Sequence, residues 1–152
     1  EIPLADSFHA LNRLVSEDKV RNVGVSNFDL PLLEEAVRLS ETPLFGNQVL
    51  YSLFHRKPQF DGTLEFCQEH ELTLTAYSPL RNCNFNHPTL VDVSERLSVA
   101  PQQLAINWLI RQRNVVTIPK SSNRERQRDN LESVKLEVSE FDQKLLDDLI
   151  RE

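Results

Sequence analysis

Two hydrophobic periods alternate along the chain. Phe8, Leu11, Leu14 and Val15 recur at helical spacing and predict a helix near the start, with Asp6 as its cap. Val23-Gly24-Val25 lies in a short β-type run. SNF then leads into LPLLEEAVRL, where Pro31 suits a first helical turn because its missing N–H costs nothing there. Leu32, Leu33, Ala36 and Val37 give that helix an apolar stripe. GNQVLYSLF reads as a strand, followed by a loop and a helix through TLEFCQEHE. LTLTAYSPL is again strand-like, with threonines alternating with apolar residues up to the Ser-Pro break. After the irregular RNCNFNHPTL, VDVSERLS and APQQLAINWLIRQRN read as helices, the second with Leu104, Ala105, Trp108 and Leu109 on one side. VVTIPKS closes the series of strands, and SNRERQRDNLE and SEFDQKLLDDLIRE follow as helices. In the last, Ser139 and Asp142 form a capping-box-like start.

The strands begin near residues 22, 46, 72 and 115, each separated from the next by helix. Such alternation predicts an α/β fold with parallel strands and right-handed crossovers. The strands are rich in Val, Ile and Leu, as parallel strands covered on both faces should be. The third interval is longer because a loop is inserted. The only glycines are Gly24, Gly46 and Gly62. With no GxGxxG and no GxxxxGK[ST], a Rossmann or P-loop phosphate cradle is excluded.

Composition narrows the class without naming a chemistry. The 152 residues suffice for one domain with a real core, at 39% hydrophobic and 26% charged. No apolar run approaches bilayer length, and the start lacks the layout of a signal peptide. Cys67 and Cys83 form no CxxC, so reduced thiols and a cytoplasmic location are expected. His9, His55, His70 and His87 show no metal-ligand spacing, so no metal is expected. A net charge of −6 argues against nucleic-acid binding. The absence of methionine suggests a processed or excised piece of a longer protein.

Against this acidic background, Lys120, Arg124, Arg126 and Arg128 crowd directly behind the last strand. Ser122-x-x-Glu125 has the form of a capping box. A helix start there, with its free N–H groups and dipole, joined to a strand-end lysine and an arginine fork, is chemically suited to a phosphate. The same charges equally describe a solvated helix face in which Glu125 and Asp129 pair with arginines, and charge pattern alone favours that plainer reading. Tyr77, at a strand end, either stacks on a planar ligand or belongs to the core. Ser26-Asn27 and Asn47-Gln48 either hold a carboxamide or satisfy turn backbone.

VRNVGVSNF, GNQVLYS, LTLTAYSPL, QQLAINWLI and VVTIPKSSNRERQRDN, in this order and spacing, resemble the aldo-keto reductase family from about residue 5 to 150. The resemblance implies a parallel (β/α) barrel of the TIM type, of which this chain is about the second half: four βα units and a closing helix. It implies an oxidoreductase that uses NADP(H) to reduce the carbonyl group of small aldehydes and ketones. Ser26, Asn27 and Gln48 would hold the nicotinamide carboxamide, and Tyr77 would stack on its ring. Ser78 and Leu80 would line the pyrophosphate path. Lys120, Ser121, Asn123 and Arg126 would take the 2′-phosphate, with Asp129 and Asn130 near the adenine. Under this resemblance the basic run is a phosphate site rather than a solvated face.

The family's catalytic Asp, Tyr, Lys and His lie on the first half of the barrel, and none of those motifs stands here. Tyr51 and Tyr77 match other family positions and are not the proton donor. The loop RNCNFNH lacks the glycine usual just after SPL, and YSLFHRKPQF departs from the commoner aromatic-Pro pattern. The chain alone is therefore expected to be the cofactor-binding half without activity, the intact protein a reductase. Two open strand edges would favour association with a copy of itself or with a first-half partner. A non-enzymatic nucleotide-binding module and an assembly piece are the alternatives.

Overall fold

The structure is a computed structural model that describes residues 2–150. The last two positions of the predicted final helix, Arg151 and Glu152, and the first residue, Glu1, lie outside the described residues. Two compact units make up the chain. The first comprises residues 1–49 and 57–75, the second residues 50–56 and 76–152.

In the first unit, α1 (Leu4–Ser16) precedes β1 (Val25–Ser26), α2 (Leu30–Leu39), β2 (Gly46–Leu50), α3 (Lys57–Phe60), α4 (Thr63–Glu69) and most of β3 (Thr73–Tyr77). β1 and β2 pair in parallel, Val25 opposite Asn47 and Ser26 opposite Gln48. The strand order is β1-β2-β3-β4, β4 being the strand at Val115–Thr117. Phe8, Val23, Leu33, Ala36, Val49, Leu64, Cys67 and Leu74 form the core of this unit.

At Gly46 two strands approach closely. A Cβ there would stand 1.9 Å from the Thr73 carbonyl oxygen, so only glycine lets β2 and β3 approach. Asn12, a polar residue inside the apolar stripe of α1, is also buried. Its amide donates to the Leu39 carbonyl at 3.0 Å and accepts from the Glu41 N–H at 3.1 Å, tying α1 to the end of α2.

The second unit carries the end of β3, then α5 (Pro88–Leu97), α6 (Pro101–Ile110), β4, α7 (Arg124–Glu132), a 3₁₀ turn (Ser133–Lys135) and α8 (Glu140–Asp147). The Ile118 N–H and the Thr117 hydroxyl both donate to the Ala76 carbonyl, at 3.3 and 3.0 Å, joining the ends of β3 and β4. Residues Leu104 to Leu109 of α6 are all buried, around the whole helix rather than on one side as the apolar spacing suggests. Asn107 fits there because its amide donates to the carbonyls of Ser133 and Leu136, at 2.9 and 3.2 Å.

The elements lie where the periodicity places them, but several ends differ. The strand predicted from about residue 22 is regular only over Val25–Ser26, although the Phe45 N–H also donates to the Val23 carbonyl at 2.7 Å. β2 stops at Leu50, because Ser52 and His55 exchange backbone hydrogen bonds in a tight turn. Asp6 does not cap α1; the capping position is Pro3, and Asp6 sits in the first turn, where its charge favours the helix dipole. α2 starts as expected with Pro31 in its first turn, and Asp29 caps it by accepting from the Leu32 N–H at 3.3 Å. The Ser139 hydroxyl accepts from the Asp142 N–H at 3.1 Å and donates to its carboxylate at 2.7 Å, the capping arrangement expected for α8.

Candidate functional site

The second unit brings two of the four clustered bases, Lys120 and Arg126, to one pocket, while Arg124 and Arg128 are not in its lining. β4 delivers Lys120 and Ser121 just past its C-terminal end, and α7 supplies Arg126, Asp129 and Asn130. Leu80, from the turn after β3, closes another side. The pocket holds about 420 Å³. Six residues expected from the sequence to meet the adenosine and phosphate end of a nucleotide thus line one cavity: Leu80, Lys120, Ser121, Arg126, Asp129 and Asn130.

Local chain chemistry sets this geometry. The capping residue of α7 is Asn123, not Ser122, so the expected Ser122/Glu125 box does not form. The Asn123 side-chain oxygen accepts from the Arg126 N–H at 3.0 Å. The Ser121 hydroxyl accepts from the Asn123 N–H at 3.1 Å, and the Gln127 amide donates to the Ser121 carbonyl at 2.7 Å. These bonds fold the segment after the strand back onto the first turn of the helix. The competition between Ser122 and Asn123 is settled by backbone placement, since either residue type is a good cap. With its oxygen engaged as the cap, Asn123 shapes this corner, and it is not among the pocket-lining residues.

Sequence reasoning missed four lining residues, Phe85, Ala100, Gln102 and Gln103. Gln103 accepts from the Ala100 N–H at 3.1 Å and donates to the Asp129 carbonyl at 3.2 Å, so one side chain ties the start of α6 to α7. A Gln three residues after a helix's capping position was the available signal. Phe85 gives none, because its approach depends on the path of the loop after β3.

That path begins at Ser78, whose φ of 51° lies in the left-handed region. A non-glycine residue held there at the end of a parallel strand is a local strain of the kind that collects at ligand sites. Tyr77, just before it at the end of β3, is half-buried. A cleft of about 240 Å³ follows, lined by Ser78, Leu80, Arg81 and Lys120 among others.

In the first unit, Ser26, Asn27 and Gln48 come together at the ends of β1 and β2. The Ser26 hydroxyl and the Asn27 N–H both donate to the Gln48 carbonyl at 2.9 Å, and Asn27 has a φ of 58°. The side chains of all three belong to exposed residues. The neighbouring Asn47 is buried and uses its amide on the backbone of Phe28, donating to its carbonyl at 2.8 Å and accepting from its N–H at 3.4 Å. Asn47 therefore satisfies turn backbone, as the Ser26 hydroxyl does at the Gln48 carbonyl.

Tyr51 is wholly buried in the second unit and donates its hydroxyl to Gln112 at 2.6 Å. Burial pushes its phenol well above the ordinary range, with the Gln112 bond acting the other way.

Comparisons place these features among known proteins. The sequence matches the profile of the Aldo/keto reductase family over residues 1–151. It is 34% identical over 150 residues to the 9,11-endoperoxide prostaglandin H2 reductase of Trypanosoma cruzi (strain CL Brener), covering 95% of this chain and 51% of that protein. Among solved structures it resembles a thermostable aldo-keto reductase in complex with the inhibitor epalrestat, at 40% identity and a TM-score of 0.91, over 96% of this chain and 54% of that one. It also resembles an aldo-keto reductase from Klebsiella pneumoniae in complex with NADPH, at 32% identity and a TM-score of 0.86, over 98% of this chain and 55% of that one. The chain spans about half the length of each of these relatives. With its α/β fold, its parallel strands and matching motifs along nearly its whole length, the chain belongs to the aldo/keto reductase family.

Proposed function

We propose that this chain is the NADP(H)-binding, C-terminal half of a (β/α)8-barrel oxidoreductase that reduces small aldehydes and ketones to alcohols. The observation that carries the reading is the pocket at the end of β4. Lys120 and Arg126 offer a point charge and a planar fork to a phosphate, and Ser121 adds a hydroxyl. Asp129 and Asn130 stand in the same pocket, where a carboxylate suits the adenosine side and not the phosphate itself. This donor set fits the 2′-phosphate end of NADP(H). The Klebsiella pneumoniae relative crystallised with NADPH supports NADP(H) as the cofactor.

In this reading Ser78 and Leu80 line the pyrophosphate path, and Tyr77 presents its ring to the nicotinamide. Ser26, Asn27 and Gln48 of the first unit take the carboxamide, with Asn27 pre-set by the hydrogen bond that holds its left-handed turn. When bound, the cofactor supplies hydride for the carbonyl carbon. The chain's own residues bind and orient it, and none of them is assigned as the acid that protonates the carbonyl oxygen. These residues alone are therefore read as lacking reductase activity. Val116 and Ile118, 46% and 49% exposed in and just after β4, support the half-barrel reading and a tendency to associate through that edge.

Titration of the purified chain with NADPH and NADH, followed by fluorescence, tests this. NADPH is expected to bind more tightly than NADH, and Arg126→Ala to remove most of that difference, roughly tenfold or more. The same samples supplied with NADPH and an activated aldehyde are expected to show no turnover. Equal affinities for the two dinucleotides would refute the phosphate assignment, and turnover above a buffer blank would refute the assignment of an inactive half.

A further inference from the structure

The cleft after β3 carries more than a path. Its lining includes two cations, Arg81 and Lys120, together with the Ser78 hydroxyl, and no carboxylate. Neither cation enters an ion pair among the described residues. A tight turn places Arg81: Ser78 is left-handed, the Arg81 N–H donates to the Ser78 carbonyl at 3.0 Å, and Asn82 is again left-handed with a φ of 55°. The backbone thus sets the root of the Arg81 side chain beside the end of β3 and opposite the residues that follow β4.

This cleft adjoins the phosphate pocket, since Leu80 and Lys120 line both. A 2′-phosphorylated dinucleotide carries two separate anions, a monoester on the ribose O2′ and a diphosphate on O5′, one sugar ring apart. Two adjoining clefts, each with its own arginine and with Lys120 lining both, offer separate cations to those two anions. The lining of the second cleft has no acid to balance its cations, so an anionic ligand there meets uncompensated positive charge.

Resting on the dinucleotide reading above, we propose that Arg81 is a cofactor-binding residue that pairs with the diphosphate, while Arg126 serves the 2′-phosphate and Lys120 lines both clefts. The two arginines then divide the labour. Arg126 discriminates between the phosphorylated and unphosphorylated dinucleotides. Arg81 holds the group both share, and contributes affinity without contributing that discrimination.

Three ligands separate these roles when titrated calorimetrically against the 152-residue chain: NADPH, NADH and adenosine 2′-monophosphate, which has no diphosphate. Arg81→Gln is expected to weaken NADPH and NADH alike, by roughly tenfold to a hundredfold, and to leave adenosine 2′-monophosphate unchanged. Arg126→Ala is expected to weaken NADPH and adenosine 2′-monophosphate and to spare NADH. Arg81→Lys, which keeps the charge but not the fork, should recover part of the lost affinity and guards against a folding defect in the glutamine variant. If Arg81→Gln leaves NADPH binding intact, or weakens the monophosphate as much as the dinucleotides, the assignment of Arg81 is overturned while the phosphate pocket stands. If the unsubstituted chain binds none of the three, the dinucleotide reading falls and the Arg81 assignment with it.

Discussion

Arg56 offers the sharpest test of what holds the second unit together. It is only 3% exposed and spends all three guanidinium nitrogens on backbone carbonyls. Its Nε donates to Leu53 at 2.9 Å, Nη1 to Asp147 at 2.7 Å and Nη2 to Leu146 at 2.6 Å. The guanidinium carbon lies 4.4 Å from the centre of the Trp108 ring, which itself meets Tyr51 edge-on. The turn after β2 is thereby pinned to the last turn of α8, where the Leu146 carbonyl otherwise accepts only from nearby backbone N–H groups, that of Leu149 at 3.4 Å among them. Burial pulls the Arg56 pKa down, while Tyr51 and the carboxylates of Asp147 and Asp148 raise it. Replacement by methionine fills much of the volume but strips three acceptors of their donor. Charge-assisted bonds are worth about 1.5–3 kcal/mol each and the ring contact about 1–2 kcal/mol, offset by several kcal/mol that the buried cation no longer loses in hydration. The expected net cost of Arg56→Met is about 3–5 kcal/mol, a large share of the roughly 5–15 kcal/mol that stabilises a typical domain. Urea unfolding measures it directly, because Trp108 is the only tryptophan and lies under the substituted side chain. A loss below about 1 kcal/mol with an unchanged denaturant slope would refute the view that this arginine clamps the C-terminal helix.

Two further outcomes follow from particular contacts. Gly46→Ala sets a methyl group 1.9 Å from the Thr73 carbonyl, and since that neighbour is backbone, β2 and β3 must part. A loss of about 3 kcal/mol or more is expected in urea or thermal melts, and a variant as stable as the original would contradict the close approach. Burial of Cys67 raises its thiol from 9.0 to about 11. Because the folded value lies above the ordinary one, its contribution is fully present below pH 9 and is lost as the pH climbs through 11. Stability should therefore fall across that window by at most about 3 kcal/mol from this group, and Cys67→Ala should flatten the slope; an identical slope in the variant would remove Cys67 as the cause.

How much of this was legible in advance depends on the range of the interaction. The helix spanning Leu30–Leu39 announced itself through Pro31 and its apolar stripe, and α8 through Ser139 and Asp142, because period and capping act over a few residues. The alternation of strand and helix likewise fixed the α/β class, and the order of short motifs carried the family. The composition of the phosphate corner was also on the surface of the sequence, as a cluster of bases behind a strand in an otherwise acidic chain.

Tertiary structure decided what depended on distant partners. Nothing in the local sequence accounts for the burial of Asn12 and Asn107; their partners are the carbonyls of Leu39 and of Ser133 and Leu136, brought within hydrogen-bonding distance by packing. Arg56 looked like a loop residue, and its burial makes sense only against the end of α8, some 90 positions away. The choice of Asn123 over Ser122 as a cap, and the arrival of Phe85, Gln103 and Arg81 beside Lys120, likewise depended on where the backbone ran. Local sequence determines which segments become helix or strand, since that free energy is spent within a turn or two. Which polar groups find partners, and which cations are left facing a cleft, is set by contacts that exist only once the segments have packed.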